Sequence, residues 1–109
     1  MKLKSTLLSI AAFATLLGGV AQAEPVRIAQ DTWSAYDSGN NEHIIKVELQ
    51  DREGDYLIEV SVPAKSIAVN FWIDCREDLI ALARPDAQWS AVDHRNMEGW
   101  YSDVACRLN

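Results

Sequence analysis

The sequence predicts a small α+β domain, in which an antiparallel sheet of four to six strands carries a C-terminal helix and one disulfide ties the two together. Three observations lead to this prediction. Apolar and polar residues alternate along much of residues 43–83, a pattern typical of strands with one buried face. Apolar residues of the C-terminal tail recur instead at helical spacing, and the chain contains two cysteines.

The N-terminus has the features of a signal peptide. Lys2 and Lys4 form a short positive region, residues 7–20 carry no charge, and the three residues ending at Ala23 match the small-x-small cleavage pattern. A membrane anchor is the alternative, but an apolar run of about 14 residues is short for ~30 Å of hydrocarbon. We therefore predict cleavage between Ala23 and Glu24, no stable membrane anchor, and a periplasmic or secreted location.

Cleavage would leave one strongly acidic domain over residues 24–109. Two of the 10 basic residues, Lys2 and Lys4, leave with the signal peptide, whereas all 16 acidic residues remain, so the net charge changes from −6 to −8. Such a charge repels nucleic acid and anionic membrane surfaces, and it attracts a basic protein partner. The charge has a second explanation, because it also keeps an exported protein soluble.

The central strands follow from the period of two. Ile45, Val47 and Leu49 are expected on one face of a strand, and polar residues 51–54 form a hairpin loop after it. The next strand ends at Pro63, which has no amide proton to donate.

A third strand has one apolar face made of Ile67, Val69, Phe71 and Ile73. Cys75 continues the parity of that face, and residues 76–78 turn the chain into a fourth strand over residues 79–83. Residues 26–33 are a weaker candidate for a first, edge strand, which the polar loop 37–41 follows.

The C-terminal tail predicts an amphipathic helix with a single apolar stripe. The stripe consists of Met97, Trp100, Tyr101, Val104, Ala105 and Leu108. Asn96 is the predicted N-cap. Cys106 lies about 180° from the stripe, so either the helix ends close to it, which is the first interpretation, or the helix is covered on two sides. Export and an even number of cysteines predict a structural disulfide between Cys75 and Cys106, which contributes roughly 3.7 kcal/mol in the chain-entropy model.

No group of residues predicts a catalytic, metal or cofactor site. His43 begins a strand beside Glu42, and His94 precedes the helix; neither has a metal-ligand partner at i+4. Both histidines are expected to be exposed and without function. The sequence contains no nucleophile-elbow, P-loop or dinucleotide motif, so we do not expect an enzyme or a bound cofactor.

The four tryptophans are more suggestive. Trp72 has the opposite parity to the apolar face of its strand, so either the helix covers it, which is the first interpretation, or a partner does. Trp33 and Tyr36 lie just before the polar loop. Because Trp and Tyr dominate interface energetics, these three aromatic residues form the predicted partner surface. The alternative is that they fill a small core.

Residues 65–76 resemble the centre of the surface-adhesin protein E-like family, where a strand ends in a cysteine after an acidic residue. The resemblance continues through Trp89, Val92 and a C-terminal helix that closes at a second cysteine, Cys106. It covers roughly residues 43–106. It implies a small antiparallel sheet with an attached helix, and dimerisation through the sheet. Family members studied as adhesins bind host extracellular proteins.

These observations predict a non-enzymatic, exported binding protein of the protein E-like type, which binds a protein partner and forms a homodimer if the resemblance holds. The alternative is a periplasmic inhibitor or immunity protein directed against a basic cell-wall-targeting enzyme, such as a lysozyme or a peptidoglycan amidase. Small size, export, a disulfide and an acidic surface suit both functions.

Overall fold

The computed structural model describes residues 23–109. Within that range seven antiparallel strands form one sheet in chain order, so each strand is hydrogen-bonded to its neighbours in the sequence. The strands are β1 (Val26–Ala29), β2 (Thr32–Tyr36), β3 (Glu42–Gln50), β4 (Tyr56–Val62), β5 (Ile67–Asp74), β6 (Leu79–Leu82) and β7 (Ser90–Ala91). A 3-10 turn (Pro63–Lys65) links β4 to β5. Helix α1 (Met97–Asp103) follows β7 and continues as a π-helical turn (Val104–Leu108).

The α+β class is confirmed, but seven strands exceed the predicted four to six. The predicted edge strand at residues 26–33 is in fact two strands, β1 and β2, which turn at Asp31 with a positive φ of 58°. Aspartate tolerates this left-handed conformation better than most residues. With no glycine at the turn, the sequence gives only a weak signal for it, and β7 is too short for periodicity to detect.

One face of the sheet packs against α1. Ile58 and Val60 of β4, with Phe71 and Ile73 of β5, are at most 1% exposed there. Tyr101 of α1 stacks on Phe71 with ring centroids 5.8 Å apart. The rest of the predicted stripe lies on the same core, with Met97, Val104 and Ala105 buried and Trp100 and Leu108 partly buried. The stripe is therefore confirmed, and burial of its apolar side chains holds helix to sheet.

We call the opposite side of the sheet the outer face. Leu49 lies on it, although the apolar–polar alternation of the sequence predicts the other face. The sequence pattern puts Leu49 on one face with Ile45 and Val47, and this prediction is wrong. The register between β3 and β4 shifts between Val47 and Leu49, so a bulge turns Leu49 outward, where it pairs with Leu57 and is 48% exposed. An extra residue in one strand reverses the facing of every residue after it.

The start of α1 depends on a close approach of backbone to backbone. The Asn96 side chain accepts a hydrogen bond from the Glu98 amide at 3.1 Å, which confirms the predicted N-cap. A Cβ atom on Gly99 would lie 2.8 Å from the Cα of His94. Glycine, a poor helix former, is therefore required here, because it lets the turn before the helix pack against the first helical turn.

The disulfide joins Cys75, just after β5, to Cys106 in the π-helical turn, with Cα atoms 5.6 Å apart. The α-helix ends at Asp103, three residues before Cys106, as its position off the stripe predicts, but the chain remains helical past Cys106 as the π-helical turn. A disulfide is typical of oxidising compartments.

The predicted signal peptide lies, apart from Ala23, outside the described residues, and its cleavage stays a prediction. Across residues 23–109, no helix has both the length and the apolar character needed to cross a membrane.

Candidate functional site

The β1 end of the sheet carries a groove on its outer face. Trp33 and Ala35 of β2 point into the core, so Ser34 and Tyr36 point outward by alternation. Val26 of β1 pairs with Ser34 and shares that outward direction. We call the resulting depression, about 400 Å³ in volume, the edge groove. It is lined by Ala23, Glu24, Val26, Ile28, Ser34, Ala35, Tyr36, Asn40 and Glu42.

The edge groove combines exposed apolar side chains with acidic charge. Val26, Ile28 and Tyr36 are 65%, 54% and 44% exposed. The charged residues among its lining are both glutamates, Glu24 and Glu42. Tyr36, one of the three residues of the predicted partner surface, therefore lies on a wall that offers both apolar contact and negative charge.

Each glutamate of the groove already has one neighbour in the protein. The Ser34 hydroxyl donates to Glu42 Oε2 at 2.6 Å, and Arg107 Nη2 donates to Glu24 Oε2 at 3.4 Å. Arg27 points to the other face, where its guanidinium lies 5.5 Å from the ring centroid of Trp33. The carboxylates are therefore held in place at the rim while the apolar wall between them stays accessible.

The structure does not bring the other two predicted surface residues into this site. Trp33 is 4% exposed and belongs to the core, so its assignment to a partner surface is wrong. The polar loop that follows β2 favours exposure of Trp33. The alternation of side chains along β2, however, directs its ring into the core.

The first interpretation of Trp72, burial under the helix, is also wrong. α1 packs on the face of β5 that carries Phe71, whereas Trp72 is half-buried on the outer face, opposite Leu57 and Ala81. Its strand lies three strand spacings of about 4.8 Å from β2. Trp72 is therefore not part of the edge groove.

His43, predicted to be exposed, is instead completely buried between the sheet and α1. Its Nε2 lies 2.9 Å from Asp37 Oδ2, and its Nδ1 lies 2.6 Å from the Tyr101 hydroxyl oxygen. Asp37 is 2% and Tyr101 1% exposed. We call these three residues the buried triad. The sequence contains no local signal for it, because Tyr101 comes from an element 58 residues away.

The hydrogen bonds of the buried triad fix the tautomer of a neutral His43. The Asp37 carboxylate only accepts, so Nε2 carries the proton and donates to it. Nδ1 is then an acceptor, and the Tyr101 hydroxyl donates to it. In this arrangement both ring nitrogens of the buried imidazole are satisfied, as are all other buried side-chain nitrogen and oxygen atoms in residues 23–109.

Burial sets the protonation states of the buried triad. Burial lowers the pKa of His43 below its ordinary value, against the opposing effect of the hydrogen bond to Asp37. Burial acts to raise the pKa of Asp37, but hydrogen bonds from His43 and Asn41 outweigh it and the pKa is lowered. Burial, with the nearby charges of Asp37 and Glu98, raises the pKa of Tyr101. Neutral imidazole, carboxylate and neutral phenol therefore coexist.

Asp37 also organises the loop between β2 and β3. Its Oδ1 accepts hydrogen bonds from the amides of Gly39 at 2.9 Å and Asn41 at 3.0 Å. Asn40 of the same loop lines the edge groove, and so does Glu42, the first residue of β3. One carboxylate thus joins the buried triad to the loop at one end of the groove.

An acidic cluster lies in the β3–β4 loop, where Asp51, Glu53 and Asp55 bring carboxylate oxygens within 4.8 Å of one another. Asp51 Oδ1 accepts from the amides of Glu53 and Asp55, each at 2.9 Å, so this carboxylate shapes the loop itself. Oxygen ligands of this kind suit a hard cation such as Ca²⁺. The same cluster is equally well explained as loop structure. The sequence pattern assigns Asp51 and Glu53 to a hairpin loop and Asp55 to the strand after it.

Comparison of the chain with protein-family models, with curated proteins and with solved structures gives no match. The likeness to the surface-adhesin protein E-like family therefore stays a prediction.

Proposed function

We propose that the mature domain is a non-enzymatic, exported binding protein, and that its edge groove receives an extended, basic segment of a protein partner. The observation that supports this most is the grouping of Val26, Ile28 and Tyr36 on an open sheet edge between Glu24 and Glu42. Exposed apolar side chains clustered with a polar rim are typical of interaction sites. The resemblance to protein E-like adhesins, which bind proteins, agrees with this function.

The edge groove favours an extended segment because β1 lies at the end of the strand order and pairs only with β2. Every residue of β1 is exposed. An extended peptide can add to such an edge through backbone hydrogen bonds while its alternate side chains enter the groove. Apolar side chains would contact Val26 and Ile28, and lysine or arginine would meet the glutamates.

The overall charge suits the same partner. A mature chain with a net charge of −8 attracts basic proteins over a distance set by salt, about 8 Å at physiological ionic strength. The partner should therefore associate faster at low salt, while the apolar contacts should determine how slowly it dissociates.

The direct test is an NMR titration of residues 24–109 with a short synthetic peptide in which lysine and valine take turns at every second position and serine fills the positions between them. We expect shift changes confined to β1, β2 and the loop 37–41. The Tyr36→Ala variant should bind at least about tenfold more weakly, since the truncation of an aromatic anchor costs about 1.4 kcal/mol or more. The same peptide with glutamate in place of lysine should not bind.

Leu49→Ala is the matched control, because Leu49 is comparably exposed on the outer face but lies outside the edge groove. It should leave the affinity unchanged. Equal binding of the lysine and glutamate peptides, or equal losses for Tyr36→Ala and Leu49→Ala, would contradict the proposal.

An inhibitor or immunity function would use the same acidic groove on a folded basic enzyme. Activity assays of a lysozyme and of a peptidoglycan amidase with added mature protein separate the two functions. Inhibition that is lost in Tyr36→Ala and kept in Leu49→Ala would assign the inhibitor function. Peptide binding without inhibition would favour a general binding protein.

A further inference from the structure

We propose that the buried triad is an acid-sensitive connection between α1 and the edge groove, in which protonation of His43 loosens the helix from the sheet and weakens partner binding. The binding part of this inference rests on the proposed function. The structural part, the response of α1 to acid, stands independently of it.

The first step is a conflict that protonation creates inside the core. A protonated His43 carries a proton on Nδ1, which lies 2.6 Å from the Tyr101 hydroxyl. Both groups then face each other as donors, so the hydroxyl must turn its own proton elsewhere. Tyr101 is 1% exposed, so water does not reach the hydroxyl to accept it. Leaving a buried donor without an acceptor opposes the native packing.

The second step is the charge that surrounds His43. Asp37 favours the imidazolium from the end of β2, whereas Lys65 of the 3-10 turn opposes it. From α1 the neutral Tyr101 contacts the ring, and Glu98, whose own pKa is raised by burial, lies near Tyr101. Burial outweighs the attraction of Asp37, and the pKa of His43 is lowered from its ordinary 6.5.

The direction of the pH effect follows from this lowering. The unfolded or locally opened chain binds a proton on His43 more readily than the native chain. The native contact is therefore fully stabilised above about pH 6.5, and its stabilisation is lost as the pH falls toward the native pKa.

The third step connects His43 to the edge groove. His43 pairs directly with Ala35 across β2 and β3. The side chain of Ala35 points into the core, but its neighbours along β2, Ser34 and Tyr36, line the groove. Asp37, the other partner of His43, holds the loop amides of Gly39 and Asn41. When His43 changes its hydrogen bonds, the β2–β3 pair and the loop 37–41, which form one wall of the groove, are held less firmly in their native positions.

The test starts with the protonation of the two histidines. In labelled protein over residues 24–109, the ring signals of His43 should show the Nε2–H tautomer at neutral pH and a midpoint clearly below 6.5. His94 is the internal reference, because it is exposed and its Nε2 pairs with Asp78 at 2.7 Å. A His43 midpoint at or above 6.5, or the opposite tautomer, would overturn the proposal.

Hydrogen exchange then measures how firmly α1 is held on the sheet at each pH. After correction for intrinsic exchange, protection of the α1 amides should fall by up to about 25-fold between about pH 7 and about pH 5. His94→Gln should show the same fall. In Tyr101→Phe the fall should be roughly fivefold smaller, the contribution of one hydrogen bond. Protection that does not change with pH, or an unchanged fall in Tyr101→Phe, would refute the acid response.

Peptide binding separates this inference from the function on which it rests. The affinity of the lysine–valine peptide should fall from about pH 7 to about pH 5 in parallel with α1 protection. An affinity equal at both pH values would refute the connection to the groove. Failure to bind at neutral pH would instead refute the proposed function, and the exchange experiment would still decide the acid response. If Tyr101→Phe does not fold, the His43 titration and the His94→Gln exchange decide it.

Discussion

At the scale of single residues, this small core contains several buried polar groups. His43, Asp37, Asp55 and Glu98 are each below 9% exposed. A buried polar group without a partner is costly, and each of the groups we have traced has one. Glu98 Oε1, for example, accepts from the Asp93 amide at 2.6 Å, which ties the first turn of α1 to the segment before it. Such contacts are satisfied in only one arrangement of the helix on the sheet. Apolar packing alone would allow several similar arrangements.

Removing the Tyr101 hydroxyl tests this arrangement. Tyr101→Phe keeps the stacking on Phe71 but leaves His43 Nδ1 without its donor. We expect the free energy of unfolding at neutral pH to fall by about 1–3 kcal/mol, the usual cost of an unsatisfied buried group. Tyr36→Phe removes the same atom from an exposed ring and should change stability by less than about 0.5 kcal/mol. Urea unfolding of both variants measures the difference; equal effects would contradict this account of the triad.

At the scale of elements, the periodicity of the sequence predicts those features that are determined by residues close together in the chain. The helical stripe, the hairpin loop after β3 and the third strand were all predicted from spacing. Leu49 and His43 were not, for different physical reasons. A bulge depends on how β3 meets β4, and the burial of a histidine depends on a tyrosine supplied by the distant α1. The predicted aromatic partner surface is a mixed result, since Tyr36 is exposed and lines the edge groove, whereas Trp33 is buried in the core.

Gly99 lies at the point where helix propensity and packing oppose each other. On propensity alone, Gly99→Ala should stabilise α1 by about 1 kcal/mol. The new methyl group would, however, lie 2.8 Å from the His94 Cα, a backbone atom that cannot turn aside. We expect a net loss of about 1–3 kcal/mol, as for other overpacked sites. Thermal unfolding decides the sign, and a raised melting temperature would show that the turn before α1 moves freely.

The disulfide fixes the π-helical turn that follows α1, whereas buried side chains hold α1 itself on the sheet. Both cysteines are exposed, whereas Tyr101 and Val104 are buried by their own contacts. The double variant Cys75→Ser/Cys106→Ser should therefore lose about 2–5 kcal/mol of stability, because the unfolded chain is released, and should still keep α1 on the sheet. Chemical denaturation measures the loss, and reductant should have no effect on the variant. Loss of the near-UV circular dichroism signal in its native state would contradict this.

At the scale of the whole molecule, the sheet has two different faces. The face toward α1 forms the core. The outer face carries two separate apolar areas, the edge groove at β1 and a strip across β3, β4 and β5 made of Leu49, Leu57 and Trp72. The two areas are far enough apart to be altered independently.

Trp72→Ala tests the separation of these two areas. Because Trp72 is half-buried, its truncation should cost about 2 kcal/mol, less than the roughly 3–5 kcal/mol expected for Phe71→Ala in the core. The affinity for the lysine–valine peptide should stay unchanged, since the strands of Trp72 and Tyr36 are separated by two others. Urea unfolding of Trp72→Ala and Phe71→Ala measures the two losses of stability. The peptide titration of Trp72→Ala measures its affinity. A loss of affinity in Trp72→Ala without a matching loss of stability would move the partner site from the edge groove to the strip.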